Sequence, residues 1–319
     1  MLSTLRTCSR VRLGLVVWLA AALFASAAQG VVISSGNGTG NTTAPLDDFG
    51  FGNVGFADTG VTGIYLGGGW VLTANHVGAR PITFLGVQYQ PVAGTGVRLS
   101  NPSGPQPDLF VYRINGFPPL PSLALSNASP TLGEAVSCVG HGWTRDPTQT
   151  TWSGSWVENP PAPQVVFRGF KKSLVLPVAM RWGTNVVSVA STTVLDTTAF
   201  EVAFDQSGGT THESQAVVGD SGGACFAKRG SSWQLVGVMF AMLIFSDGPG
   251  GNPDQPANTA VFGNATIAGD VFFYHSEIES NTPPIGPVPA LPPAAVGVLA
   301  LLLVLTASAG YLRPSSTRR

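Results

Sequence analysis

Charged side chains and cysteines are both scarce in this chain of 319 residues. Only 10% of the residues are charged, and the formal net charge is −1. A near-neutral chain without a basic cluster excludes the positive surface that nucleic-acid-binding proteins need. The 3 cysteines and 4 histidines form no cluster with the spacing of metal ligands. We therefore expect no metal, no cofactor and no nucleic-acid partner.

Helical periodicity is also rare, which excludes the strand–helix alternation of a parallel sheet. Instead, short β-branched and aromatic runs recur between Gly, Pro, Asn and Asp, and 40 residues are glycine. This pattern is typical of an antiparallel sandwich or barrel. One segment near the end, 268–280, is predicted to be a short helix, whereas 31–50 is predicted to be irregular. The predicted strands are 63–66, 70–73, 82–85, 109–114, 135–139, 165–167, 174–178, 186–189, 199–204, 223–227 and 234–245.

Residues 1–30 have the three parts of a secretory signal peptide. Arginines precede an apolar run, Leu13–Phe24, and small residues that suit signal peptidase follow it. A retained N-terminal anchor is the alternative, although the run is short for a bilayer, which takes ~20 residues to span. We expect export, with signal peptidase as a partner, and a folded domain over residues 31–282.

The C-terminus carries a second apolar segment. Residues 294–312 contain no charge and precede an arginine-containing tail, 313–319, which predicts a transmembrane helix with its tail in the cytoplasm. A proline-rich spacer, 283–293, comes before it. Together these parts resemble the bacterial PEP-CTERM type of sorting signal, although Pro-Glu-Pro is missing. The resemblance implies an exosortase-like partner, with a plain membrane anchor as the alternative. Either way, we expect the protein in the cell envelope or outside the cell.

The string Gly219-Asp220-Ser221-Gly222-Gly223 suits a nucleophile loop. A serine hydroxyl attacks a carbonyl only when a base removes its proton, and the resulting oxyanion needs fixed donors. Glycine at position 219 permits a backbone conformation that turns N–H groups inward. We predict that Ser221 is the nucleophile and that the N–H groups of Gly219 and Ser221 form the oxyanion hole. The alternative is an ordinary turn of small polar residues.

Two upstream segments supply the groups that activate such a serine. An apolar strand ends in Thr73-Ala74-Asn75-His76, which places an imidazole at a strand-to-turn corner. Histidine suits general-base work because its pKa lies near neutrality. Asp108 begins an alternating apolar strand, so its carboxylate lies at the edge of a core and needs a partner. An imidazole N–H is a natural one. Taken alone, each of these two residues could equally have a structural role, His76 as an ordinary histidine and Asp108 as a turn residue.

The three segments, in this order, resemble the signature segments of the trypsin/chymotrypsin family of serine proteases, and the likeness covers residues 50–280. It implies an all-β fold of two six-stranded antiparallel barrels with the site between them, followed here by the short C-terminal helix and the transmembrane helix. It also implies that His76 is the general base, that Asp108 orients it and that Ser221 attacks the carbonyl. The expected activity is that of an endopeptidase on protein or peptide substrates.

The resemblance implies further features. Cys138 and Cys225 are expected to form a disulfide, with two buried thiols as the alternative. The expected floor of the specificity pocket is Gln215, and Phe240 and Met242 are expected to narrow it, which favours a small or medium apolar side chain. Asp220 is expected to pair with a chain end released before Val31, with a side-chain cation or with backbone donors.

Two competing functions remain open at the level of sequence. Gly219-x-Ser221-x-Gly223 also fits the nucleophile elbow of an α/β-hydrolase esterase, which requires Asp270 and His275 as partners and a helix after the serine. A catalytically silent binding domain on a protease scaffold is the second alternative.

Overall fold

Strands account for most of the regular structure in the computed structural model, which describes residues 30–57, 60–176, 179–246 and 254–284. The described residues up to Thr282 form one compact unit. The helical elements are α1 (His275–Asn281) and two 3-10 turns, Phe51–Asn53 and Ala162–Gln164. The strands are β1 (Val32–Ile33), β2 (Val54–Ala57), β3 (Thr62–Gly67), β4 (Trp70–Thr73), β5 (Ile82–Phe84), β6 (Val87–Tyr89), β7 (Val97–Arg98), β8 (Phe110–Arg113), β9 (Ala135–Gly140), β10 (Thr150–Trp152), β11 (Phe167–Lys171), β12 (Arg181–Val194), β13 (Thr197–Ala203), β14 (Ser214–Gln215), β15 (Ala224–Arg229), β16 (Ser232–Leu243), β17 (Thr259–Val261) and β18 (Ala265–Asp270).

Six of these strands close into an antiparallel barrel in the order β12-β13-β18-β16-β15-β9. At 14 residues, β12 is long enough to pair with β9 through its first part and with β13 through its second. Along its first part, buried and half-buried side chains alternate, as a strand with one face on a core requires. This barrel confirms one of the two that the sequence analysis predicts.

The expected second barrel is instead a seven-stranded sheet. Its order is β6-β5-β2-β3-β4-β8-β7. The ends of the sheet approach each other, since Pro91, just after β6, forms an isolated bridge with Ile114, just after β8. The Val92 N–H donates to the Arg113 carbonyl and the Asn115 N–H donates to the Gln90 carbonyl, so the bridge is bonded on both sides of the proline. The bridge links the chain after β6 to the chain after β8, but the strands themselves form an open sheet, so a second closed six-stranded barrel stays a prediction.

The sheet and the barrel share one hydrophobic core. Helix α1 contributes Ile278 to the same core, and the preceding turn contributes Tyr274. Because one continuous core joins the two sheets, the loops at their boundary are fixed relative to each other. The core includes these side chains from β3, β4 and β8 and from β9, β15 and β16: Ile64, Leu72, Val111, Val139, Phe226 and Val238.

Three local expectations need correction. The segment 268–280 is not one helix, because its first residues belong to β18, and α1 begins only at His275. Asp270 ends this strand, since its Oδ1 accepts the N–H groups of the second and third residues after it. Residues 174–176 of the predicted strand 174–178 form a bend in which Leu174 is 92% exposed, and 177–178 lie outside the described residues. The supposedly irregular lead-in contains β1, which pairs with β14.

The predicted signal peptide (except Gly30), the transmembrane helix and the basic tail lie outside the described residues. Within the described ranges, no helix is long and apolar enough to cross a membrane. Nor does that part of the chain contain a group of three or more His, Cys, Asp or Glu side chains that is arranged to hold a metal ion.

Candidate active site

His76 and Asp108 meet through two hydrogen bonds. The His76 imidazole Nδ1 lies 2.6 Å from Asp108 Oδ2, and the His76 backbone N–H donates to Asp108 Oδ1 at 2.8 Å. The carboxylate side chain is 10% exposed and the imidazole 40% exposed. A carboxylate on Nδ1 fixes the proton on that nitrogen, which leaves Nε2 as the acceptor that faces solvent.

Both residues owe their positions to the sheet and the barrel around them. β4 ends at Thr73, and the following turn buries Ala74 and Val77 while it leaves His76 exposed. Asp108 is fixed from the other side, because its backbone N–H donates to Thr197 Oγ1 at 2.8 Å, and Thr197 belongs to β13 of the closed barrel. The dyad therefore lies where the sheet and the barrel meet.

Thr62 attaches the Ser221 loop to the seven-stranded sheet. Its N–H and its Oγ1 donate to the carbonyl oxygen of Ser221 at 2.9 and 2.8 Å, and Oγ1 also reaches the carbonyl of Asp220 at 2.9 Å. Thr73 Oγ1 in turn donates to the Thr62 carbonyl at 2.7 Å. Because Thr73 lies three residues before His76, these contacts bring the serine loop to the strand that carries the imidazole.

Gly222 has to be glycine for this attachment. Its φ is +84°, and a Cβ at this position would collide with the Thr62 carbonyl and with Thr73 Oγ1. In the described part of the chain, the His76 ring makes one hydrogen bond, with Asp108, and none with the hydroxyl of Ser221. Catalytic hydrogen bonds are often long before substrate binds.

The backbone at Gly219 and Ser221 offers two unused donors. Gly219 has a φ of +106°, and a Cβ there would lie 2.8 Å from the Gly60 carbonyl and 3.1 Å from the Cα of Gly142. Throughout the described ranges, neither N–H donates to another group, whereas the N–H of Asp220 is used by Val217 O at 3.0 Å. Two free N–H groups that flank a turn are what an oxyanion hole requires.

Asp220 is buried beneath the loop and is held by backbone donors. The N–H of Gly142 donates to Oδ1 at 2.6 Å, and the N–H of Val217 donates to Oδ2 at 2.8 Å. Burial raises the pKa of Asp220 to about 8, against the opposing effects of the Val217 N–H and of the charge on Arg181. The described partners of the Asp220 carboxyl are thus backbone donors, and none of its described hydrogen bonds involves Val31.

The turn that carries His141 completes the support of Asp220. A Cβ at Gly140 or Gly142 would collide with the Asp220 carboxylate, which explains a glycine on each side of the histidine. The His141 ring stacks on Phe56 at 4.3 Å between centroids and 10° between planes. Burial, with a smaller effect of the Arg181 charge, lowers the pKa of His141 to about 4. His141 therefore remains neutral at physiological pH and acts as packing.

The expected pocket residues separate in the structure. Gln215 is buried and its Nε2 donates to Asn264 Oδ1 at 3.1 Å, while its Oε1 has no partner among the described residues. Phe240 lies at a β-bulge in β16 and packs in the cluster under the His76 turn, with Ala74. Met242 packs against other clusters. Because the bulge breaks the alternation of sides, the two side chains do not narrow one pocket together.

Thr266 is a residue beside the expected pocket floor that sequence reasoning missed. It is buried opposite Met242 in the β16–β18 register, and its Oγ1 accepts the N–H of Ala216, the residue after Gln215, at 2.8 Å. A threonine outside the predicted strands and the predicted helix gives no signal for this position. The side chains that bond to Gln215 and Ala216, which are Asn264 and Thr266, are uncharged.

The disulfide is present and the esterase arrangement is absent. Cys138 and Cys225 are directly paired across β9 and β15 and are joined by an S–S bond. The segment after Ser221 continues into strand β15 rather than into a helix. Asp270 accepts a hydrogen bond from Ser129 Oγ, and His275 Nδ1 bonds to a backbone carbonyl, so they do not form a triad with the serine. The nucleophile-elbow interpretation is therefore wrong.

No family model matches the chain, and no curated protein sequence matches it. Among solved structures, it is similar to proteases. Kallikrein-related peptidase 10 is 12% identical over 69% of this chain and 88% of that chain, with a TM-score of 0.41. Neuropsin, a serine protease expressed in the limbic system of mouse brain, is 15% identical over 70% and 89%, with a TM-score of 0.41. The Rv3671c protease in its inactive form is 13% identical over 69% and 82%, with a TM-score of 0.37.

Proposed function

We propose that the chain is an exported serine endopeptidase that acts through His76, Asp108 and Ser221. The observation that carries the proposal is the paired contact of Asp108 with the ring and the backbone of His76, next to a serine loop that the same sheet holds. A buried carboxylate that orients a solvent-facing imidazole has a clear use in removing a proton from a hydroxyl. The free N–H groups of Gly219 and Ser221 add the donors for an oxyanion.

The reaction follows from these groups. His76 Nε2 takes the proton of Ser221 Oγ as the oxygen attacks the carbonyl carbon of the peptide bond. The negative charge that forms on the carbonyl oxygen is held by the N–H groups of Gly219 and Ser221. His76 then gives its proton to the leaving amine, and the C–N bond breaks to leave an acyl-enzyme. Water, deprotonated by the same imidazole, releases the acid and restores the serine.

The edge of β16 supports a peptide as the substrate. Residues 241–243 pair with β18 on one side. Within the described ranges, no strand hydrogen-bonds to the other side of this segment, and Gly222 and Gly223 bond only as far as Met239. An extended peptide can add to a free strand edge through its main chain. An uncharged surrounding for Gln215 favours a neutral side chain before the scissile bond.

A catalytically silent binding domain is the second candidate, and one observation favours it. The described hydrogen bonds do not join the His76 ring to the Ser221 hydroxyl. A domain that only binds peptides would use the same free strand edge without the need for an activated serine. The two candidates differ in the nucleophilicity of one oxygen.

Labelling with a fluorophosphonate separates the two functions. We expect the folded protein to be labelled at Ser221, and Ser221→Ala and His76→Ala to remain unlabelled. Ser231→Ala, which removes an exposed serine in the turn between β15 and β16, is the matched control and should label fully. A parent protein that folds, binds peptides and remains unlabelled would establish the silent binding domain instead.

We also propose export through the N-terminal signal and retention at a membrane by the C-terminal segment. The Cys138–Cys225 disulfide supports a compartment outside the cytoplasm, because reducing conditions keep most cytosolic thiols free. Mass measurement and terminal sequencing of the exported protein test this. A chain that starts near residue 31 supports signal peptidase cleavage. A C-terminus before residue 294 would indicate sorting by an exosortase-like enzyme, and an intact one would indicate a plain anchor.

A further inference from the structure

We propose that three aromatic side chains beyond the end of β16 bind apolar residues of the substrate on the amino side of the scissile bond. The group, called here the aromatic wall, consists of Trp156, Phe167 and Phe245. This inference deepens the proposed protease function and rests on it, because it names the class of substrate sequence that the same cleft selects.

The aromatic wall is a set of stacked, half-buried rings. Trp156 and Phe167 stack at 4.2 Å between centroids and 10° between planes. Phe245 lies 4.8 Å from Phe167 and 6.2 Å from Trp156. All three side chains remain partly open to solvent. Rings that are ordered by one another can contact a ligand without a further loss of side-chain freedom.

Apolar surface continues around the rings. Val157 is 58% exposed and Val166 is 61% exposed, each directly beside a member of the wall in the chain. Single exposed apolar residues are common, but aromatic and aliphatic groups that cluster at the surface mark sites of interaction. Phe167 is the first residue of β11, which belongs to the small sheet β10-β11-β17. This sheet contains none of the three proposed catalytic residues.

Strand β16 connects the wall to the candidate active site. Phe240 packs beneath the His76 turn, and Phe245 follows it by five positions, two beyond the end of β16 at Leu243. At about 3.3 Å per residue, five positions of chain span at most roughly 16 Å. A substrate that pairs antiparallel with the free edge of β16 has the same spacing and runs in the opposite direction. Its residues roughly four to six positions before the scissile bond therefore reach the wall.

Amide contacts hold the wall in register with the pocket. The Phe245 N–H donates to Gln255 Oε1 at 3.3 Å, and the Gln255 N–H donates back to the Phe245 carbonyl at 3.1 Å. Gln255 also exchanges hydrogen bonds with the side chain of Asn264. The Oδ1 atom of Asn264 in turn accepts a hydrogen bond from Gln215 Nε2. One amide network thus links the residue six before Ser221 to the aromatic wall.

The backbone at Trp156 indicates that its position is specified. Its φ is +62°, an uncommon conformation for a bulky side chain, and its N–H donates to the Ser153 carbonyl at 3.0 Å. This tight turn directs the indole onto Phe167. Strained positions tend to be retained where the surrounding structure requires a particular side-chain placement.

Peptide binding to Ser221→Ala tests the wall without any turnover. Two peptides of one sequence are compared, with either Phe or Ala at the fourth to sixth positions before the scissile bond. We expect the Phe peptide to bind about ten-fold tighter, which corresponds to about 1.4 kcal/mol. Adding Trp156→Ala should remove this preference. Phe117→Ala, which removes a 63% exposed aromatic from the loop after β8, is the matched control and should keep the preference.

Further arms keep the outcomes distinct. Phe245→Leu is a second variant in case Trp156→Ala does not fold, and it should reduce the preference. In the active enzyme, the same variants should raise KM for the Phe peptide and leave kcat unchanged. Equal binding of both peptides, or a preference that survives in the wall variants, overturns the inference. The inference is also overturned if the parent protein is a dimer that Trp156→Ala dissociates, because the aromatic wall would then be an interface between two copies of the chain. If the parent protein is labelled by fluorophosphonate but shows no preference for the Phe peptide, only the inference about the aromatic wall is contradicted. If the parent protein is not labelled, the proposed protease function is contradicted.

Discussion

Replacing Asp220 by asparagine should change how stability depends on pH. In the folded chain the carboxyl is buried, and burial raises its pKa to about 8. In the unfolded chain its pKa returns to the ordinary value of 3.8. Between these values the unfolded state loses the proton while the folded state retains it. The group therefore stabilises the fold most fully below the unfolded pKa, and this contribution is lost as the pH rises towards the folded pKa.

The magnitude follows from the two pKa values. Each pKa unit is worth about 1.4 kcal/mol, so the parent should lose roughly 3 kcal/mol of stability relative to Asp220→Asn between about pH 5 and about pH 7. The asparagine does not titrate. Its amide has one oxygen acceptor for the N–H groups of Gly142 and Val217, so the substitution lowers the free energy of unfolding. This loss does not depend on pH, so it cancels when only the pH dependence of the difference is compared.

Urea unfolding of both proteins in a Ser221→Ala background, which prevents self-cleavage, measures this difference. Other titrating groups cancel between the two proteins unless they interact with Asp220, as Arg181 does. A difference that is flat in this range, or that favours the parent as the pH rises, would show that the N–H donors and Arg181 outweigh burial and keep the carboxylate ionised.

Three other substitutions test the site and its support. Asp108→Asn should lower kcat about 10⁴-fold in a peptide assay, because the amide has one acceptor for the two N–H groups of His76; an unchanged kcat would contradict the orienting role. Thr62→Val should cost about 1–3 kcal/mol in urea unfolding, since it removes the Oγ1 donor to the Ser221 carbonyl, whereas Thr62→Ser should not. Cys138→Ala should lower the free energy of unfolding in urea by about 4–5 kcal/mol, because the disulfide closes a loop with a sequence separation of 87 residues. A much smaller loss would contradict a stabilising cross-link.

Features that depend on local sequence are predictable. The range of β4 coincides with the predicted strand, because its apolar residues lie between glycines and a turn. The Ser221 loop and the cysteine pair follow from the family resemblance, and the structure brings each cysteine to its expected partner. The assignment of His76 and Asp108 rests on their order along the chain and on the family resemblance, and the two hydrogen bonds between them have no counterpart in any local pattern.

Features that depend on distant pairing are not predictable in this way. A strand as short as β1 gains its identity only from β14, about 180 positions later. The bulge at Phe240 reverses the side to which the residue points, and no turn signal marks it in the sequence. The bridge at Pro91 shows the same limit, because alternation predicts strands but not which of them meet at the end of a sheet.

Buried arginines are the largest departure from what composition indicates, since arginine is rarely buried. Arg145 donates to the carbonyls of four consecutive lead-in residues, 33–36, and lies 3.8 Å above the Phe170 ring. Arg181 donates to the Gly40 carbonyl, and its charge opposes the rise in the pKa of Asp220. The lead-in thus supplies carbonyl acceptors that let two cations remain in the core. The charge of Arg181 also acts on Asp220, so the lead-in is linked to the Ser221 loop through a side chain in the core.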